Sequence, residues 1–575
     1  MDYNKNSLLV KFKFAFYVVI VNLKDSETDT PHYHVLSGMF SRPFCCCLSE
    51  ASIYWLRETI FTVGVNVRLV PNSNQKMRSR NWLALVLGTS AILLGPVTAL
   101  FGRAALFRSH PRNATVDLRK TSGFTLRAGS SNLPCVEYYG EEPPKRAVVL
   151  MDAFCPYHGL YLANAVRVRF PDTAVVTALS DYLYAFLSAT EPESQAQWDS
   201  MRVPQDETTL AIWQSLPVAW QAVYCESDSG LESAEALREV LGVACRDKPV
   251  MLSARRHKYK MNDRVKSVGL ESVKQKMCDS LDEAQAFAQE LGLSTGESLQ
   301  AVIVKPFRGV ASESVHLCHD NAEIESAWNS ITSTAVFGCK GRHDSVLVQE
   351  FLQGCEYAVD VVLRDGVPKV AAVWRYDKTQ ANGAPFCYVC TRLVDSHSDP
   401  QVPVVCDYVL DVLRALGVKW GLSHNEVIVT SDRGPVLVEV NCRQHNMDFC
   451  PLTMACIGYN ALDMTVDALL GDEESWKVTY PAFPALRAQG CMVHLINYAS
   501  GVLNEVKHLE EIDALPSVLN WEVYDHFREP GILIEPTVDI RSDAGWVQLV
   551  HEDLNTLEHN YEQLVAWMPT MFQAH

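Results

Sequence analysis

Apolar and polar positions along residues 146–250 fall into short β-rich runs separated by stretches of helical spacing. Strands are predicted at 147–151, 174–178 and 218–224, with helices over 160–170 and 233–241. Alternation of this kind points to a small open parallel sheet. Asp152 and the residues through Gly159 follow the first strand, at the end where such sheets bind ligands, although turn chemistry accounts for Asp and Gly there equally well. Beyond residue 250 the pattern becomes α+β. It has a lysine-rich helix start at 254–261, β-rich runs at 301–305, 346–352, 424–429 and 436–441, and a tail from Arg487. The tail carries strands near 490–496 and 545–550 and a helix over 554–567, and is predicted to pack as a lid or end cap.

Composition narrows the class. The 575 residues are 48% apolar and 21% charged, with only 29 Gly and 27 Pro, which excludes a disordered or fibrous chain and leaves room for about three or four domains. A formal charge of −18 opposes the phosphate backbone, so nucleic acid is not an expected partner. The charge is uneven: residues 1–130 hold 16 Lys+Arg against 7 Asp+Glu, a balance of +9, which leaves −27 for the remainder. Within that basic stretch, Met77-Arg-Ser-Arg80 precedes an uncharged apolar run at 82–101 that ends in small residues, and residues 102–131 carry six basic side chains but a single acid, Asp117. This layout resembles the two-part leader of plastids enclosed by extra membranes, a signal followed by a transit-like segment. A single-pass anchor with membrane contact through 82–101 is the competing reading, so an organelle, a cytoplasmic and a membrane-anchored location all stay open. Residues 1–76 are given no role. The 18 cysteines show no disulfide spacing, and Cys387-Tyr-Val-Cys390, with no second pair, is read as structural.

Candidate chemistry concentrates between 254 and 445. Glu426 lies in one β-rich run, and Glu439 and Asn441 alternate on the next, so that the latter two share a face. Two carboxylates and an amide among Val and Leu are costly unless paired or bound to a cation, and hard oxygen donors favour Mg²⁺ or Mn²⁺. Arg443 follows on the same face, where its fixed fork suits a carboxylate or phosphate, and His445 is close enough to share that work. Lys305 ends an apolar strand and Lys258 opens a helix, which makes both candidates for holding a polyphosphate. Gly309-Val-Ala-Ser312 supplies small residues whose backbone N–H groups could fold over phosphates, with Ser312 the named contact.

In this order, the motifs at 254–261, 301–315, 346–357, 423–426 and 436–443 resemble the ATP-grasp superfamily of carboxylate–amine ligases, most closely the branch of L-amino acid ligases that makes dipeptides. The resemblance covers about residues 145–570. It implies an α/β and α+β chain: an ATP-grasp fold at 251–480, an N-terminal open parallel-sheet domain at 145–250 and a C-terminal lid at 481–575 behind the leader at 1–130. It further implies ATP as nucleotide, backbone recognition of adenine by Gln349, Glu350 and Leu352, ribose contact through Glu356, and catalytic work for Arg443 and Lys305. Trp374-Arg-Tyr-Asp-Lys378 resembles the branch's substrate loop, which assigns Arg375 and Lys378, with His445, to the substrate. Two departures stand out: Glu313 and Ser314 replace a glycine-containing turn, and Asn446 stands where the family has Gly. The expected activity joins a carboxylic acid to an amine, amino acids among them, through an acyl phosphate. An ATP-grasp carboxylase, a purine-pathway type of ligase and a non-catalytic ATP binder are the alternatives, and a homodimer is left open.

Overall fold

The computed structural model describes residues 17–24, 31–38, 136–137, 144–153, 156–204, 206–216, 218–293, 301–309, 314–336 and 341–575. The leader elements expected at 77–130, and Ser312 and Glu313 of the phosphate loop, lie outside them. Among the described residues no helix is long and apolar enough to cross a membrane. The chain divides into two units, 1–116 and 117–575. The described part of the first is an antiparallel pair, Tyr17–Lys24 with Pro31–Gly38.

The second unit begins with the predicted parallel sheet. Arg146–Met151 lies between Thr173–Ala178 and Ala219–Cys225, parallel to both, and Val136–Glu137 adds an antiparallel edge. The run Ala-Val-Val-Leu-Met is buried on both faces, as a central parallel strand requires. Between the second and third parallel strands stand three helices that the sequence reading did not resolve, Asp181–Thr190, Gln195–Met201 and Glu207–Ser215. Side chains of Ser180 and Asp206 cap the first and last of these.

Two larger antiparallel sheets follow, with a third, three-stranded one in the tail (Leu533–Ile534, Gly501–Val506, Phe572–Ala574). The four-stranded sheet runs Gln275–Cys278, Val346–Glu350, Val302–Lys305, His316–Cys318 in spatial order. The larger has eight strands: Gly434–Asn441, Gly421–Thr430, Gly354–Arg364, Val367–Ala381, Ala384–Val394, Gln489–His494, Gly545–His551 and Val518–Val523. Asn382 and Gly383, with φ of 52° and 81°, form the two-residue turn that joins two of these strands with the local twist a hairpin needs. Helix Val402–Leu416 buries Val405, Val409, Val412 and Leu416 against the sheet, an i, i+4, i+7, i+11 stripe, and ends at Gly417 in the left-handed region.

The tail, expected as a lid or end cap, also joins the central sheet. Gln489–His494 pairs directly with Ala384–Val394, Arg392 lying opposite Cys491, so the large sheet runs unbroken across residue 480. The reason is burial: Cys491, Val493, Val547 and Leu549 complete one core with Cys387 and Cys390. Cys387 and Cys390 are buried free thiols in that core.

Candidate functional site

A cavity of about 1090 Å³ opens between the two larger antiparallel sheets. Its floor is apolar, from Val273, Ile303, Ile428 and Leu437, and its walls carry nearly all of the charged candidates. Pairing of Gly421–Thr430 with Gly434–Asn441 sets Glu426 opposite Glu439 and His424 opposite Asn441. A bulge at that point leaves Val438 without a partner and keeps Glu439 and Asn441 turned inward. Glu439 Oε1 lies 2.5 Å from Lys258 Nζ, which also donates to the Gly309 carbonyl at 3.2 Å.

Lys305 stands nearby on its strand end. Burial and the neighbouring Lys258 pull its ammonium down to about 8, against attraction from Glu439, Glu426 and Glu356. Lys378 Nζ donates to Glu356 Oε2 at 2.7 Å and sits 4.3 Å above the Tyr388 ring. Burial lowers that lysine, and the Glu356 carboxylate and Tyr388 more than reverse it, so it stays charged. At the opposite end, Gln349 donates to the side chain of Gln275 at 2.9 Å and Glu350 accepts from Arg433 at 3.0 Å; residues 349–352 line the cavity there, the first two with backbones already paired in the sheet.

Arg443 is buried, with Nε 2.7 Å from Asp228 Oδ2 and Nη1 donating to the Gln444 carbonyl at 2.6 Å. Asp228 comes from the loop after the third parallel strand, so the N-terminal sheet aims this guanidinium at the cavity. His445 also lines the cavity, and burial with the charge of His424 holds its imidazole down at about 4. His424 behaves oppositely: burial lowers it, but hydrogen bonds to Asp360 and Glu426 win and lift it to about 9. Glu426 in turn rests at about 2, because His424 overcomes its burial.

Residues 299–449 match the family model described as "ATP-grasp domain". The chain carries an ATP-grasp domain. Dapdiamide A synthase of Enterobacter agglomerans is 28% identical over 265 residues, 46% of this chain and 59% of that protein. The carbamoyl phosphate synthase large chain of Halomonas eurihalina is 27% identical over 182 residues, 31% of this chain and 16% of that one. The matches thus span less than two thirds of either relative. Among solved structures, the L-amino acid ligase from Bacillus licheniformis superposes with a TM-score of 0.56 at 16% identity, over 76% of this chain and all of that one. That likeness establishes the fold.

Lys258, Lys305, Gln349, Glu350, Leu352, Glu356, Lys378, Glu426, Glu439, Asn441, Arg443 and His445 all line the same cavity, all but Lys258 within the matched residues. Arg375 does not. It alternates with Tyr376 on its strand, and on the other side of the sheet it lies 3.5 Å from Asp377 and 3.8 Å from Asp399. Sequence reasoning missed Asp228, Tyr376, Tyr388, Asp360 and the role of His424. A signal existed for Asp360: a lone acid in Ala358-Val-Asp-Val-Val362 needs a buried partner. The tail, expected to cover the site as a lid or end cap, lines it with residues 538–541, which sequence reasoning did not name.

Proposed function

We propose that this chain is an ATP-dependent carboxylate–amine ligase that forms an amide through an acyl phosphate and releases ADP and phosphate. The observation that carries the reading is one cavity holding three lysines, two facing carboxylates with an amide oxygen, and a buried arginine. A carboxylate is a poor electrophile at neutral pH, so the substrate oxygen attacks the γ-phosphorus of ATP, the bond to the bridging oxygen breaks, and ADP leaves. An amine then attacks the acyl carbon and displaces phosphate. Such chemistry needs positioning and charge stabilisation, not a side-chain nucleophile.

Lys258 and Lys305 hold the polyphosphate, the apolar floor at Ile303 and Leu437 takes the base, and Glu356 accepts from the ribose hydroxyls. Arg443, kept in place by Asp228, binds the carboxylate and then the acyl phosphate. Lys378 and His445 face the substrate. Glu426, Glu439 and Asn441 fit a hard divalent ion: they offer only oxygen donors, two of them on directly paired positions, and Glu439 already faces a cation. Mg²⁺ held there would neutralise charge on the phosphates. Amino acids as acid and amine are proposed in keeping with the name of the L-amino acid ligase that shares the fold.

The test uses carboxylic acids labelled with oxygen-18, screened in pairs with amines, bicarbonate serving as the carboxylase arm. The expected result is ADP release dependent on the acid, with one labelled oxygen in the phosphate. AMP with pyrophosphate, or unlabelled phosphate from an acid-dependent reaction, overturns the mechanism.

A further inference from the structure

Joining an ammonium to an acyl phosphate releases two protons. One leaves with the phosphate, and the other needs a base inside the cavity. His445, held at about 4, binds a proton too weakly, and Lys305 is kept charged by the phosphates it holds. A chain of three buried side chains takes no part in the chemistry so far. Thr391, His494 and Asp543 are each almost wholly buried, and the first two line the cavity. His494 Nδ1 lies 3.2 Å from Asp543 Oδ2, and its Nε2 lies 3.0 Å from Thr391 Oγ1. An ionised carboxylate only accepts, so Nδ1 carries the ring proton and Nε2 keeps a lone pair; the Thr391 hydroxyl donates to it and leaves its own lone pairs for a ligand. In this order an acid and a histidine together make a hydroxyl able to give up its proton. Tyr376 stands opposite Thr391 in the strand register and reaches His445 Nε2 at 3.0 Å, two residues beyond Arg443. The chain therefore borders the place where Arg443 would hold the acyl phosphate.

We infer that Thr391, His494 and Asp543 form a proton relay that deprotonates the attacking amine, the α-ammonium of an amino acid. This rests on the ligase reading above. The ammonium N–H donates to Thr391 Oγ1; as that proton crosses, the Thr391 proton passes to His494 Nε2, and the ring becomes an imidazolium whose charge faces Asp543. The freed nitrogen lone pair bonds to the acyl carbon, the bond from that carbon to the phosphate oxygen breaks, and the second N–H proton leaves with the phosphate. His494 then returns its proton through Thr391 to solvent. Asp543 touches no substrate and acts as a positioning residue that fixes the tautomer of His494.

The experiment gives the full chain ATP, Mg²⁺ and the standard amino acids as a mixture, with and without hydroxylamine. Hydroxylamine is already unprotonated at neutral pH, so it traps an acyl phosphate as a hydroxamate with no need of a base. Wild type should form both peptide and hydroxamate. Thr391→Val, which keeps the shape and removes the hydroxyl, should slow peptide formation about 100-fold or more and leave hydroxamate formation within about threefold. His494→Gln and Asp543→Asn should follow it, and Thr391→Ser should keep peptide formation within about tenfold of wild type. If the first two do not fold, Thr391→Val against Thr391→Ser decides. Equal peptide rates in Thr391→Val and wild type, hydroxamate lost in step with peptide in Thr391→Val, or a wild type that makes hydroxamate but no peptide overturns the relay. A wild type that makes neither product overturns the ligase reading on amino acids, and the relay with it.

Discussion

Lys305→Met should stabilise the ligand-free protein at pH 7 while removing most of its affinity for nucleotide. The ammonium is buried and held down at about 8 from an ordinary 10.5, first by burial and then by Lys258. At about 1.36 kcal/mol per pH unit, the folded state disfavours the charged form by about 3 kcal/mol. Methionine fills similar space without that burden, so a gain of about 1–3 kcal/mol is expected. For a unit of this size that is a rise in melting temperature of roughly 1–3 °C. The sign with pH is fixed. Between about 8 and 10.5 the folded lysine has lost its proton and the unfolded one has not, so wild-type stability rises with pH across that window. The advantage of Lys305→Met must therefore shrink from pH 7 to pH 10. Calorimetric titration with an ATP analogue should show binding weakened about ten- to a hundredfold, the loss of one charge-assisted partner. A variant less stable than wild type at pH 7, or a gap that widens with pH, refutes the account.

Glu439→Gln should cut turnover most at limiting Mg²⁺, because a charge facing the ion and Lys258 is lost; unchanged turnover under that condition contradicts the metal assignment. Arg443→Ala should slow turnover on the order of a hundredfold with nucleotide binding nearly intact, and since it strands the buried Asp228, circular dichroism must show the fold retained. Arg255→Met tests a buried ion pair between two helices: Arg255 Nη2 lies 2.7 Å from Glu235 and its side chain is fully buried, so chemical unfolding should reveal a loss of about 3 kcal/mol.

What the chain made readable was local. Val346–Glu350 and Gly434–Asn441 announce themselves as β-rich runs, and Glu439 and Asn441 share a face by alternation, whereas Arg443 lies past the strand's end. The same rule shows why Arg375 is misplaced. Positions 375 and 378 are three apart and cannot both face one side of a regular strand, and the structure keeps Tyr376 and Lys378 inward. Asp228 was hidden for a different reason: it meets Arg443 across 215 residues. The continuity of the tail with the central sheet was hidden likewise, since Arg392 and Cys491 become neighbours only through pairing of strands that no periodicity links.

The site keeps its charges in pairs, Lys258 with Glu439 and Lys378 with Glu356. A nucleotide entering alone must draw Lys258 away and leave the Glu439 carboxylate facing the cavity without its cation; a divalent ion entering alone leaves Lys258 in the same position. Both costs vanish when phosphates take the lysine and the ion takes the carboxylate together. Nucleotide and cation should therefore bind with positive coupling of about 1–3 kcal/mol, 5- to 150-fold, and each must raise the other's affinity by the same factor. Lys258→Met removes the exchange: the variant should hold Mg²⁺ or Mn²⁺ more tightly than wild type without nucleotide, and should show less coupling. Titrations of Mn²⁺ by electron paramagnetic resonance, with and without ADP, measure both quantities. Equal Mn²⁺ affinity in Lys258→Met and wild type, or coupling that survives the substitution intact, would mean that the Lys258–Glu439 pair has no part in ligand binding.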